Sequence, residues 1–79
     1  MEQPRFDYGR FKQALLRVEP SIAAALPKIG CSRRHLTYVT NNQREASREL
    51  LERLRALLGR AGYEYATGLR QALPTGRAA

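Results

Sequence analysis

Two adjacent arginines, Arg33 and Arg34, come directly after a serine, Ser32, that can cap a helix. A guanidinium group donates two parallel hydrogen bonds, and it can hold a phosphate or the O6 and N7 atoms of guanine. Tyr38 lies four residues after Arg34, one helical turn along the same face, and Gly30 can make a tight turn before the helix. These residue types in this order predict a surface that contacts phosphate groups and the edges of bases.

The overall charge favours the same kind of partner. The chain carries 14 basic and 7 acidic residues, which gives a net charge of +7, and Lys12 and Lys28 are its only lysines. The planar guanidinium of arginine suits phosphate and guanine better than the point charge of lysine does. The composition therefore indicates a polyanionic partner.

Size and composition limit the fold and exclude several kinds of site. A chain of 79 residues has room for one domain with a small core. It lacks both an apolar run of about 20 residues that could span a membrane and the organisation of an export signal, so we expect a soluble, cytoplasmic protein. With one cysteine, Cys31, and one histidine, His35, an internal disulfide is excluded, and neither a metal site nor a cofactor is expected. Cys31 is expected to be a small apolar side chain in the packing.

An enzyme is not expected either. The 7 carboxylates are scattered mostly over helix faces, and the sequence has no glycine-rich phosphate loop. Cys31 and His35 lie four residues apart on one short segment, without a third group that would make them a nucleophile and its base. The chemistry of this chain is therefore expected to be binding.

Helical patterns dominate the chain. Apolar residues fall on one face of four segments, namely 8–18, 22–29, 33–40 and 47–59. The expected N-caps are Asp7, Ser21, Ser32 and Ser47. Asn41 and Asn42 are expected to form a turn, and Gly59 to stop the last helix in a left-handed conformation. Pro27 is expected to kink the second helix or to tighten its last turn.

The fold class that follows is all-α, or nearly so: a small helical bundle. Two short helices joined at Gly30, with arginines at the start of the second, have the layout of a helix-turn-helix. We assign residues 1–61 to this unit and residues 62–79 to a C-terminal extension. Tyr63 and Tyr65 alternate with a glutamate, which suits a short strand, whereas ATGLRQAL, residues 66–73, could equally continue as a helix. The end of the extension, PTGRAA, is expected to be disordered.

The stretch GCSRRHLTYVTNNQREASRELLERLRALLG resembles the lambda-repressor-like helix-turn-helix family, the Cro and XRE type regulators. The turn and recognition helix of that family are matched by Gly30, Cys31, Ser32, Leu36 and Thr37. The turn before its leucine-rich helix is matched by Asn41, Asn42, Arg44, Ala46 and Ser47. The resemblance covers about residues 9–59, and the chain departs from the family pattern at Ile22, Leu26 and Pro27.

This resemblance implies roles for individual side chains. Bases would be contacted by Arg33, Arg34 and Tyr38. The phosphate backbone would be contacted by Ser32, Asn41, Gln43 and Arg44. The ending GYEYATG is similar to that of small phage and prophage regulators, which implies a bacterial cell or a phage-infected host.

We therefore expect a transcriptional regulator, a Cro-like repressor that binds an inverted repeat in double-stranded DNA as a homodimer. Two such units about 34 Å apart, one turn of DNA, gain affinity over one unit. The expected dimer interface consists of Leu57, Leu58, Tyr63, Tyr65 and Leu69. No small-molecule effector is expected, because nothing remains of the chain to house its pocket. The alternative is a small basic module, a phage-encoded inhibitor or an antitoxin, that binds an acidic protein.

Overall fold

The computed structural model of the chain describes residues 4–73. Over this range it contains no strand and four α-helices: α1 (Tyr8–Leu15), α2 (Ile22–Ile29), α3 (Arg33–Thr40) and α4 (Arg48–Ala66). The predicted all-α bundle is confirmed, and α2 and α3 have the predicted bounds. None of the helices in the described range is long and apolar enough to cross a membrane. The prediction of disorder for residues 74–79 falls outside this range.

Each helix begins after the capping residue that the sequence predicts. The side-chain oxygens of these residues accept a hydrogen bond of 3.0–3.1 Å from the backbone N–H three residues later. The four caps are Asp7, Ser21, Ser32 and Ser47. Such a cap stabilises a helix by about 1 kcal/mol, so it fixes where α3 begins and hence which residues stand at its exposed end.

The core lies mainly between α1 and α4. Phe11 and Leu15 of α1 and Leu54 of α4 are fully buried. Phe6, in the segment before α1, covers one end of this layer, since its ring meets those of Phe11 and Tyr63 edge-on at centroid distances of 6.3 and 6.1 Å. The shorter helices contribute Ala25, Ile29, Leu36 and Val39 to the same core. The α1 and α4 pair thus forms the support on which α2 and α3 are held.

α1 ends three residues before the predicted end at Val18. The backbone N–H groups of Val18 and Glu19 both donate to the carbonyl of Leu15, at 3.0 and 2.9 Å, so the chain winds into a tight turn there. The helical pattern predicts that Val18 faces inward, but 47% of its surface is exposed because it lies in this turn. The turn sets the direction in which α2 leaves.

α4 bends sharply at Gly59. This residue has φ 76° and ψ 164°, a conformation that is essentially restricted to glycine. The helix is interrupted there as expected, but the chain then resumes a helical course instead of leaving the bundle. Residues 60–66 fold back onto the core, where Tyr63 and Ala66 are buried on one face. The alternative of a short strand at Tyr63 and Tyr65 is therefore wrong.

Pro27 lies inside α2, and the last turn of that helix is regular. The N–H of Gly30 donates to the carbonyl of Leu26 at 2.7 Å, which is α-helical spacing rather than a tightened turn. The carbonyl that Pro27 leaves without a helical donor belongs to Ala23. Because Ala23 is exposed, water can satisfy that carbonyl.

Candidate nucleic-acid interface

The turn that presents α3 is built on Gly30. This residue is left-handed, with φ 83° and ψ 28°, as the C-terminal cap of α2. Arg53 of α4 passes over it, and its Nη1 donates to the carbonyl of Ile29 at 3.5 Å while its Nη2 pairs with Glu49 at 3.3 Å. A Cβ atom at position 30 would lie 2.8 Å from Nη1 of Arg53. The left-handed conformation therefore favours glycine here, whereas the Cβ contact alone could be relieved by a movement of the flexible Arg53 side chain.

Replacing Gly30 with alanine is expected to lower the free energy of unfolding by about 1–2 kcal/mol, the cost of a left-handed alanine. Urea denaturation followed by circular dichroism measures this decrease. Gly9→Ala is the matched control, because Gly9 is helical and its added Cβ would meet nothing nearer than 3.4 Å. The free energy of unfolding of Gly9→Ala should rise by up to about 1 kcal/mol. Equal free energies of unfolding for the two variants would contradict the prediction.

The three predicted base-contacting residues lie on α3. Arg33 and Arg34 are exposed, and within residues 4–73 neither side chain has an ion pair or a hydrogen bond. Tyr38 is half-buried one turn further on, and the guanidinium of Arg44 lies 5.7 Å from the centre of its ring. The first turn of α3 has no acidic residue. Both guanidinium groups are thus free to bind an external acceptor.

The four predicted backbone-contacting residues lie at the two ends of α3. Ser32 accepts the capping bond from His35 N–H at 3.1 Å, which leaves its hydroxyl proton free to donate. Asn41 donates through Nδ2 to the carbonyl of Thr37 at 2.9 Å and keeps a second N–H. Gln43 and Arg44 are exposed in the turn that follows. All four can therefore still donate a hydrogen bond to a phosphate.

A surface hollow of about 240 Å³ lies beside the beginning of α3. It contains two cations, Lys12 of α1 and Arg33 of α3, and the beginning of α2 at Ser21 and Ile22. The first amides of a helix carry the positive end of its dipole and attract anions. Lys12 has no ion pair among the described residues, so the hollow suits a phosphate group. Sequence reasoning missed Lys12, because only the packing of α1 beside α2 brings it near Arg33.

Charge is unevenly divided along the fold. Residues 20–44, which include α2 and α3, carry four basic residues and no acidic one. Residues 45–64, which form most of α4, carry four of each, and several of these pair within the helix, as Arg53 does with Glu49. Glu19, the carboxylate nearest before α2, is buried and pairs with Lys28 at 2.6 Å. Residues 20–44 therefore carry four of the seven net positive charges, and three of these four are the arginines of α3 and of the turn that follows it.

Cys31, between the two short helices, packs against the core and is half-buried. Burial raises the pKa of its thiol, so the group stays protonated at neutral pH. This environment agrees with the expected role of an apolar side chain. Within residues 4–73, the side chains of histidine, cysteine, aspartate and glutamate form no group of three or more that could hold a metal ion.

The structure buries two of the residues predicted for a dimer interface and leaves the other three at least partly exposed. Leu58 and Tyr63 are each only 6% exposed and lie in the core of their own chain. Leu58 lies on the same buried face of α4 as Leu54, and the bend at Gly59 folds Tyr63 inward. This corrects the expectation for these two side chains. Leu57 and Tyr65 are half-buried, and Leu69 is 76% exposed. The dimer itself stays a prediction.

The features that bear on function are thus the exposed end of α3 and the hollow beside it. Comparison with known proteins points to no relative. No family model, no curated protein and no solved structure matches this chain.

Proposed function

We propose that the protein is a sequence-specific regulator that binds double-stranded DNA with α3 in the major groove. The observation that carries the proposal is the pair of exposed arginines at the start of α3, which have no side-chain partner among residues 4–73 and lie beside a hollow that holds Lys12 and the beginning of α2. A patch that only kept the protein in solution would not need cations grouped around two helix N-termini.

The dimensions of α3 suit this role. An α-helix with its side chains is about 10–12 Å in diameter, which fits the major groove of B-form DNA, about 12 Å wide. Arg34 and Tyr38, one turn apart, would reach base edges. Arg33 lines the hollow with Lys12, so we assign it to a phosphate, whereas the family resemblance implies a base contact. Ser32 and the turn after α3 would hold further phosphates.

The proposed active form is a Cro-like homodimer on an inverted repeat. One helix-turn-helix contacts few bases, and a second copy about 34 Å away raises both affinity and specificity. Leu57, Tyr65 and Leu69 remain as interface residues, since their side chains are at least partly exposed. Occlusion of a promoter in the cytoplasm of a bacterial cell or a phage-infected host is the mechanism that we propose, and it requires no cofactor or effector.

Selection of bound sites from random double-stranded DNA by the purified protein, at two salt concentrations, tests the proposal. The expected result is a palindrome whose half-sites are centred about 10 base pairs apart. Binding that enriches no sequence and vanishes with added salt would mean phosphate contacts alone. That result would overturn sequence-specific regulation and favour an acidic protein as the partner.

A further inference from the structure

A second hollow, of about 190 Å³, lies at the other end of α3. One wall is residues 4–6, the segment before α1, and the other is residues 42–46, the turn between α3 and α4. Arg5 stands on the first wall, and Arg44 and Glu45 on the second. The hollow therefore has two cations and a single carboxylate, and one cation, Arg5, comes from the segment before α1.

The segment that carries Arg5 is held in place by Asn42. The N–H of Phe6 donates to Oδ1 of Asn42, and Nδ2 of Asn42 donates back to the carbonyl of Phe6, both at 2.8 Å. Asn42 has φ 62°, a left-handed conformation that asparagine tolerates better than most residues. The next N–H, that of Asp7, donates to the carbonyl of Ala66 at 2.9 Å. The backbone on the C-terminal side of Arg5 is thus fixed against α3 and α4.

Nothing among residues 4–73 binds the Arg5 side chain. Arg5 is exposed and has neither an ion pair nor a hydrogen bond within that range, so Glu45 does not neutralise it. It also borders a neighbouring hollow that contains Arg10. A fixed backbone that carries, beside Arg44, a guanidinium with no partner in the described part of the chain is an arrangement that suits a phosphate.

We propose that Arg5 contacts the DNA backbone and that Asn42 positions it. This inference rests on the proposed function. The two ends of α3 lie about 12 Å apart. With α3 in the major groove, Lys12 and Arg33 at one end and Arg5 and Arg44 at the other would contact separate phosphates of the DNA backbone.

The test is the salt dependence of affinity for the selected DNA site, compared between wild type and variants. Arg5→Gln is expected to reduce the slope of log K against log salt by about 0.9 for each phosphate that Arg5 neutralises, without a change in the preferred sequence. Asn42→Gly keeps the positive φ and removes both bonds to Phe6, so it should reduce the slope similarly. Arg60→Gln is the control, since Arg60 is 89% exposed, pairs with Glu64 on α4 and lines neither hollow at the ends of α3.

An unchanged slope for Arg5→Gln, or an equal reduction for Arg60→Gln, would overturn the inference. Arg5→Gln alters only an exposed side chain. Its slope therefore remains decisive even if circular dichroism shows that Asn42→Gly does not fold. The proposed function is tested by a different experiment, and it is wrong if the wild-type protein enriches no sequence in the selection. In that case a reduced slope for Arg5→Gln on random duplex would still establish the backbone contact.

Discussion

Arg34→Ala is expected to lower affinity for the selected site by about 5- to 150-fold, because a bidentate bond from arginine to guanine contributes about 1–3 kcal/mol of discrimination. Affinity for unrelated DNA should fall much less, because there Arg34 contributes only charge. The guanidinium of Arg34 suits this role since it is exposed, binds no other side chain of residues 4–73 and lies one turn before Tyr38 on α3. Titration of labelled selected and shuffled duplexes, at one fixed salt concentration, measures the two affinities.

Two variants separate base recognition from charge. Arg60→Ala removes the same charge from the far part of α4, so it should weaken binding to both duplexes alike. Arg34→Lys keeps the charge but lacks the planar fork, so it should lose most of the discrimination while it retains non-specific affinity. If Arg34→Ala left the ratio of the two affinities at its wild-type value, Arg34 would not be a base contact.

Phe11→Ala is expected to have the largest effect on stability. Phe11 is fully buried between α1 and α4 and meets the ring of Phe6 edge-on, and truncation of a buried phenylalanine costs about 3–5 kcal/mol. A chain of 79 residues has a total of about 4–12 kcal/mol. The variant should therefore lose a large part of its free energy of unfolding, as measured by urea denaturation followed by circular dichroism.

Phe11→Leu is the matched control for this prediction. Leucine keeps an apolar side chain in the same space, so it should be much less destabilised and should retain DNA binding. A decrease below about 1 kcal/mol for Phe11→Ala would mean that the core can close around the missing ring. The core would then not be the rigid support of α3 that its burial indicates.

Local signals in the sequence are sufficient for most of the fold. Ser21 and Ser32 indicate the starts of α2 and α3, and Gly30 indicates the turn between them, because caps and turns depend on residues a few positions apart. Gly59 likewise predicts an interruption. A glycine with positive φ indicates that a helix stops, but it does not indicate what the chain does next. The helical return through Tyr63 therefore does not follow from the sequence, since the alternation of tyrosines also fits a strand.

The candidate site is predictable only where it lies on one helix. The arginines of α3 follow from their spacing to Ser32 and Gly30. The two hollows depend on pairs that are distant in sequence: Lys12 with Arg33, and Phe6 with Asn42, 36 residues apart. No periodicity or cap relates such residues, because tertiary packing alone brings them together.

The uneven division of charge has a consequence for the rate at which the protein finds its partner. Acidic and basic residues balance along residues 45–64, whereas residues 20–44 carry four basic residues and no acidic one, so the molecule carries its positive charge unevenly along the chain. In the electric field of a polyanion, the molecule rotates as it diffuses, so that α3 faces the polyanion. Productive encounters then become more frequent than random orientation would allow, and this gain in association rate shrinks as the ionic strength rises.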